Sequence, residues 1–174
     1  MAGRVILETE RLILREFDQD DVESFYLLGS DPAILRFTGD AGLTSLGHAR
    51  EVLRSRPLAD YRKYGFGRWA CVYKDSGEVI GFAGLKFLED LHEVDIGYRL
   101  LPAYWGAGLA TEAGRAVLDY GFVHLHLEEI IGLVDPANAA SVRVLEKLGL
   151  MVDRIMEYQG ASVAKYVARQ SGRQ

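Results

Sequence analysis

The chain carries a single cysteine, Cys71, so no internal disulfide holds it together. It lacks an apolar run of membrane length and a charged-then-apolar leader, which predicts a cytoplasmic chain with no membrane partner. Positive charge is not in excess either. A formal net charge of −5 provides no global basic field, and this argues against nucleic acid as a partner. A nucleoside-triphosphate P-loop is also missing, because Gly108 is followed by Leu109 and Ala110 where that loop needs lysine and a hydroxyl residue. What is present is an ordinary globular composition: 174 residues, 49% of them hydrophobic, are enough to bury about two-thirds of the unfolded surface in one domain. Residues 1–170 read as that domain and 171–174 as a short tail.

Hydrophobic periodicity orders the elements. Ile6 to Phe17 alternates as a strand, and Asp18 caps a helix with an acidic first turn that Asp31-Pro32 ends. A second helical region starts at Thr44, breaks near Pro57 and stops at Gly65. Three strands follow: 66–74 and 78–88 about the Asp75-Ser76-Gly77 turn, then 92–100. Leu109, Ala113, Ala116, Val117 and Tyr120 recur at helical spacing, Glu129 to Val134 reads as a buried strand, and 138–148 as a short helix closed by Gly149. Met151 to Tyr158 and Ser162 to Ala168 make a closing hairpin. The order β-α-α-β-β-β-α-β-α-β-β predicts an α/β (α+β) fold, a mixed and mostly antiparallel twisted sheet with helices on both faces.

The junction between the 92–100 strand and the following helix carries the chemistry. In Tyr104-Trp-Gly-Ala-Gly-Leu-Ala-Thr111, Gly106 and Gly108 let the backbone turn sharply, and the N–H groups of 106 to 110 open the helix unpaired, where the dipole attracts an anion. A dinucleotide fingerprint fails here, since its third glycine is Thr111 and no acid ends a second strand at the required place. A backbone-only grip on a pyrophosphate remains, beside a plain strand-to-helix connection whose glycines serve packing.

Five segments together, Leu7-Glu-Thr-Glu-Arg-Leu-Ile-Leu-Arg-Glu-Phe17, Asp31-Pro32, Asp95-Ile-Gly-Tyr98, Tyr104 to Ala113 and Asn138 to Gly149, resemble the GNAT superfamily of N-acetyltransferases. Within it they are similar to the branch that acetylates N-terminal amines of ribosomal proteins. The resemblance implies a GNAT fold, acetyl-CoA as donor and an amine as acceptor, either a protein N-terminus or a small molecule. It implies that Trp105, Gly106, Ala107, Gly108, Leu109 and Ala110 hold the pyrophosphate, that Thr111 adds a hydroxyl, and that Asn138 and Ser141 meet the pantetheine arm. Asn138 is equally a good N-cap on its own account. Two positions depart from the family pattern: Ala103 replaces its common Gln or Arg, and Leu145 replaces the tyrosine that many members use to protonate the thiolate.

Amide formation fixes what else to seek. A primary ammonium with a pKa of about 10 must lose a proton, so a carboxylate is needed as general base. Glu93 and Asp95 share one face of the strand leading to the loop; Glu93 has the longer reach and Asp95 fills the acid of the family pattern, and each is equally an ordinary ion-paired carboxylate. For the carbonyl oxygen, a backbone N–H among Ile96, Gly97, Tyr98 and Arg99 is the natural donor, with Gly97 marking a bulge that frees it. Ser141 or water serves the thiolate. Tyr61 and Tyr64, with the Thr38 to Leu43 loop, are expected to wall the acceptor, whereas Trp69, Tyr73, Phe82 and Phe87 pack in the core or line that wall. His124, His126 and Glu128 lack a complete ligand set, so no metal is expected. The oligomeric state is left as monomer or homodimer. A non-catalytic acyl-CoA-binding module is the alternative to an enzyme.

Overall fold

A computed structural model gives the conformation of the protein, in which the structure describes residues 2–171; the remainder of the expected tail, 172–174, lies outside the described residues. Alternation in the strands sorts side chains onto two faces. Leu12, Leu14, Trp69, Cys71, Ala83, Leu85, Val94, Ile96 and Ile130 build the larger core on one face of the sheet, and Ala70 joins Phe17, Phe25, Ala49 and Leu53 on the other. The strands are β1 Val5–Glu8, β2 Leu12–Arg15, β3 Arg68–Tyr73, β4 Val79–Leu88, β5 Glu93–Leu100, β6 Glu129–Val134, β7 Met151–Tyr158 and β8 Ala161–Arg169. They form one sheet in the order β1-β2-β3-β4-β5-β6-β8-β7, antiparallel except between β5 and β6. Helices α1 Val22–Ser30, α2 Pro32–Leu35, α3 Leu46–Ser55 and α4 Pro57–Tyr64 lie between β2 and β3, α5 Leu109–Asp119 links β5 to β6, and α6 Ala139–Lys147 links β6 to β7. The smaller core places α1 and α3 on one face; α5 and Leu145 of α6 pack into the larger core on the opposite face.

Several local expectations change. Ile6 to Phe17 is a hairpin of two strands, because Thr9 and Arg11 are drawn into a turn by a residue far along the chain: Glu112 of α5 accepts from Thr9 Oγ1 at 2.6 Å, the Arg11 N–H at 2.9 Å and Arg11 Nε at 2.8 Å. The two expected N-terminal helices are four, with Ser45 rather than Thr44 as the cap of α3, its Oγ accepting from His48 N–H at 3.0 Å. The C-terminal end of α5 relaxes into a π turn over Tyr120–His124, where the Tyr120 ring meets Trp69 edge-on. Gly97 is not a bulge. The β4–β5 pairing runs unbroken from Gly81↔Leu100 to Leu88↔Glu93, since the missing side chain at 97 makes room for something else.

Burial alone pushes the Glu112 carboxyl up, but the bonds from Thr9 and from the Arg11 N–H and guanidinium together hold it below the usual range. A depressed carboxyl stabilises the fold above its unfolded pKa, about 4.3, and loses that contribution as pH falls through the lower folded value. Glu112→Gln should therefore cost about 1 kcal/mol near neutrality. The gap between urea melts of the two proteins should begin to narrow below about pH 4 and close as pH falls through the folded value; a gap that stays constant throughout contradicts the charge argument.

Candidate active site

The strand-to-helix junction has the conformation its glycines require. Gly106 and Gly108 sit at φ +77° and +78°, a left-handed region costly for any residue with a Cβ, and nothing lies within 4 Å of a Cβ built on Gly106. Trp105 N–H goes to Pro102 C=O and Glu112 N–H to Gly108 C=O, while between them no N–H from 106 to 111 meets a protein acceptor among the described residues. No side chain caps α5. Loop residues Trp105 to Thr111 thus present a run of free donors at a helix N-terminus, the chemistry of a pyrophosphate seat. The Trp105 ring is half exposed, with Nε1 donating to Leu100 C=O at 2.8 Å.

Beside this seat the sheet forks. Leu101 N–H bonds Ile80 C=O, so alternation turns the N–H and C=O groups of Ile96, Tyr98 and Leu100 away from β4 and toward β6. β6 does not follow them: the parallel pairing consists of Asp95↔Ile131 alone. Where the ladder would continue, Leu133 N–H donates instead to Asp95 Oδ1 at 3.2 Å. The other oxygen, Oδ2, takes Arg68 Nη2 at 2.6 Å, and Arg68 Nη1 donates to the carbonyls of Gly84 and Asp95. This guanidinium occupies the space that a side chain at Gly97 would fill, for a Cβ there would lie 2.5 Å from Arg68 Nη2. Burial raises the Asp95 carboxyl, and Arg68 and the Leu133 N–H oppose that rise. Past this knot the edge of β5, from Tyr98 on, is free of strand partners among the described residues.

The two faces of β5 carry different groups. On the α5 side, the Tyr98 hydroxyl donates to Ser141 Oγ at 2.9 Å, Asn138 Nδ2 reaches the same oxygen at 3.0 Å, and Asn138 Oδ1 accepts Ser141 N–H at 3.2 Å. Asn138 is thus the cap of α6 as well as a neighbour of the fork. Burial raises the Tyr98 hydroxyl, which keeps its proton and so stays a donor to Ser141. Leu145, one turn beyond Ser141 on α6, is buried against Gly132 and offers no proton donor.

On the opposite face, Glu93 Oε1 accepts from Lys165 Nζ of β8 at 2.8 Å, while the buried Oε2 has no partner. A concavity of about 340 Å³, lined by Asp60, Tyr64, Lys86, Glu89, Asp90 and Tyr158, opens on this side; in register, Lys86 stands opposite Asp95 and Leu88 opposite Glu93. Tyr64 reaches this wall, but Tyr61 does not: its hydroxyl bridges Phe17 N–H and Arg68 C=O in the interior. Asp40 of the 38–43 loop pairs with Arg99 Nη2 at 2.8 Å, tying that loop to β5, and the Arg99 guanidinium lies over Phe82. A wider groove of about 670 Å³, lined by Leu118, Phe122, Met151 and Val167, lies elsewhere.

Residues the sequence did not single out hold the charged face together, namely Arg68 and Lys165. Their signal was weak: each is a cation inside an otherwise apolar strand. His124 stacks on Tyr120 at the π turn, and among the described residues no group of three or more His, Cys, Asp or Glu is placed to hold a metal. Cys71 is fully buried, and burial pushes its thiol up, away from nucleophile chemistry.

Residues 11–151 match the acetyltransferase (GNAT) domain family. The chain belongs to the GNAT family. An uncharacterized N-acetyltransferase of Bacillus subtilis (strain 168) is 33% identical over 87% of this chain and 85% of its own. The acetyltransferase of Agrobacterium tumefaciens str. C58 matches in structure with a TM-score of 0.82 and 27% identity over 94% of each chain. A ribosomal alpha-N-protein acetyltransferase in complex with coenzyme A has the same fold, at a TM-score of 0.82 and 20% identity over 95% of this chain and 98% of that one. This GNAT protein is therefore an acyltransferase enzyme of the N-acetyltransferase type, with acetyl-CoA as its donor. No helix among the described residues is long and apolar enough to cross a membrane.

The Arg68–Asp95 knot has a measurable worth. Asp95→Asn keeps an acceptor for Leu133 but leaves Arg68 without its counter-charge, and should cost about 3 kcal/mol. Gly97→Ala crowds the same guanidinium and should cost about 1–3 kcal/mol. Urea unfolding of the double variant should show less than the sum of the two losses; simple additivity would deny the coupling.

Proposed function

We propose that the enzyme moves acetyl from acetyl-CoA to a primary amine by direct attack in a ternary complex, the two substrates reaching the fork from opposite faces of the sheet. The observation that carries this reading is the division of labour across β5: free backbone donors and the Tyr98–Ser141–Asn138 cluster on one face, an unpartnered carboxylate oxygen on the other. The donor supplies an activated acetyl thioester. The loop N–H groups from 106 to 111 bind its pyrophosphate, and the edge of β5 beyond the Asp95–Ile131 pair offers the pantetheine amides a strand to bond.

Glu93 acts as the base. Its Oε2 is unclaimed, while both oxygens of Asp95 are committed to Arg68 and Leu133. Asp95 is accordingly a positioning residue. Lys165 pairs with Oε1 and so aims Glu93, directly or through one water, at the attacking nitrogen. The Tyr98 N–H, the first on the β5 edge past the paired segment, is aligned for the negative charge developing on the carbonyl oxygen. Both lone pairs of Ser141 Oγ are taken by Tyr98 and Asn138, so its own proton is free to donate to the departing sulfur. A thiol with a pKa of about 8.5 needs no stronger acid than that.

The acceptor is a cationic amine, on a small molecule or at a protein N-terminus as in the ribosomal-protein branch, entering past Tyr64, Glu89 and Asp90. Labelled acetyl-CoA incubated with peptide and amine panels, followed by mass spectrometry, identifies it. With any amine that turns over, Glu93→Gln should lower kcat about 100-fold and leave acetyl-CoA affinity unchanged. Turnover within twofold of the parent would remove Glu93 from the base role.

A further inference from the structure

The loop of 103–111 carries no cationic side chain of its own, yet the fold brings a cation to it from another element. Arg11, at the head of β2, donates through Nε to Glu112 Oε1 at 2.8 Å, and its Nη2 lies 3.7 Å from the position a Cβ on Gly108 would take. Neither Nη atom donates to a protein acceptor among the described residues, and the side chain is 37% exposed. Its partner is as informative. Glu112 stands in the first turn of α5 with its carboxylate fixed by Thr9 and by the Arg11 N–H, so an anion faces the loop that is to hold another anion. The guanidinium cancels that charge and has the four N–H groups of Nη1 and Nη2 left over.

We propose that Arg11 is the side-chain half of the phosphate site, its Nη groups donating to a phosphate of acetyl-CoA seated on the N–H groups of residues 106 to 111. The assignment rests on the acetyl-CoA reading of the loop. A planar guanidinium suits the task because it stays charged at all working pH values and grips a carboxylate and a phosphate at once through separate N–H groups. Gly108 contributes by its lack of a side chain, which leaves the approach from Arg11 to the loop open.

Isothermal titration with CoA, dephospho-CoA and pantetheine tests the assignment without any acceptor amine. Arg11→Leu should weaken CoA binding about tenfold and leave pantetheine unchanged. If dephospho-CoA shows the same loss, the contact is to the pyrophosphate; if only CoA does, it is to the 3′-phosphate, and either result supports a phosphate contact. Glu112→Gln, which keeps Arg11, should bind CoA as tightly as the parent or more so. Binding of CoA to Arg11→Leu within twofold of the parent would overturn the proposal, and so would an equal loss in Glu112→Gln, which would make the pair a mere brace of the β1–β2 turn. A parent protein that fails to bind CoA at all would overturn the acetyl-CoA reading itself, an outcome distinct from both.

Discussion

A buried carboxylate placed where two parallel strands part is the constraint on which the site depends. Asp95 satisfies Leu133 N–H with one oxygen and Arg68 with the other, so β6 leaves β5 without stranding a buried donor. Without such a cap, a parting of strands inside a sheet would expose unpaired backbone to an apolar interior, and the two strands would be driven to zip together. Arg68 reaches across β4 only because Gly84 and Gly97 stand in register beneath it. Two glycines, an arginine and an aspartate on three strands thus hold one opening.

In the proposed mechanism the fork lets parts on opposite faces of the sheet act on one bond. The α5 face holds the phosphate loop and the Tyr98–Ser141–Asn138 cluster, while the opposite face holds Glu93, Lys165 and the acid-lined concavity. A closed sheet would separate donor from acceptor by its own thickness. On the proposed reading, an open edge leaves room for a thin pantetheine chain against β5, with the thioester within reach of an amine from behind. In the proposed mechanism Glu93 is the base by virtue of its neighbours: Lys165 occupies one of its oxygens and Asp95 carries the structural duty at the fork. Glu112 plays a comparable part at the other end of the site, joining the β1–β2 turn to the first turn of α5.

Local features were legible in the sequence in proportion to how locally they are determined. The Gly106–Gly108 loop follows from glycine conformations and a helix start, and the shared face of Glu93 and Asp95 from strand alternation. Which acid is free did not follow, since that depends on Arg68 and Lys165, whose sequence separations from Asp95 and Glu93 are 27 and 72. The hairpin at Thr9 to Arg11 was hidden for the same reason: it contains no glycine or proline and is held by Glu112, 103 residues from Thr9. In sequence Gly97 reads as a bulge, because a strand glycine admits either a bulge or a close approach, and only register reveals the guanidinium above it. Sequence position marks Tyr98 only as a backbone contact, whereas its hydroxyl acquires a partner through α6, which carries Ser141.

Hydrogen exchange at single amides tests the central claim most directly, because the fork assigns opposite fates to two nearby N–H groups. Leu133, capped by Asp95, should be protected in the free protein. Tyr98 should exchange fast when free and slow markedly when CoA is added, as the pantetheine arm takes up the β5 edge. A Tyr98 amide already as protected as that of Leu133 in the free protein, and unchanged by CoA, would mean that β5 and β6 are not parted there and that the donor does not enter between them.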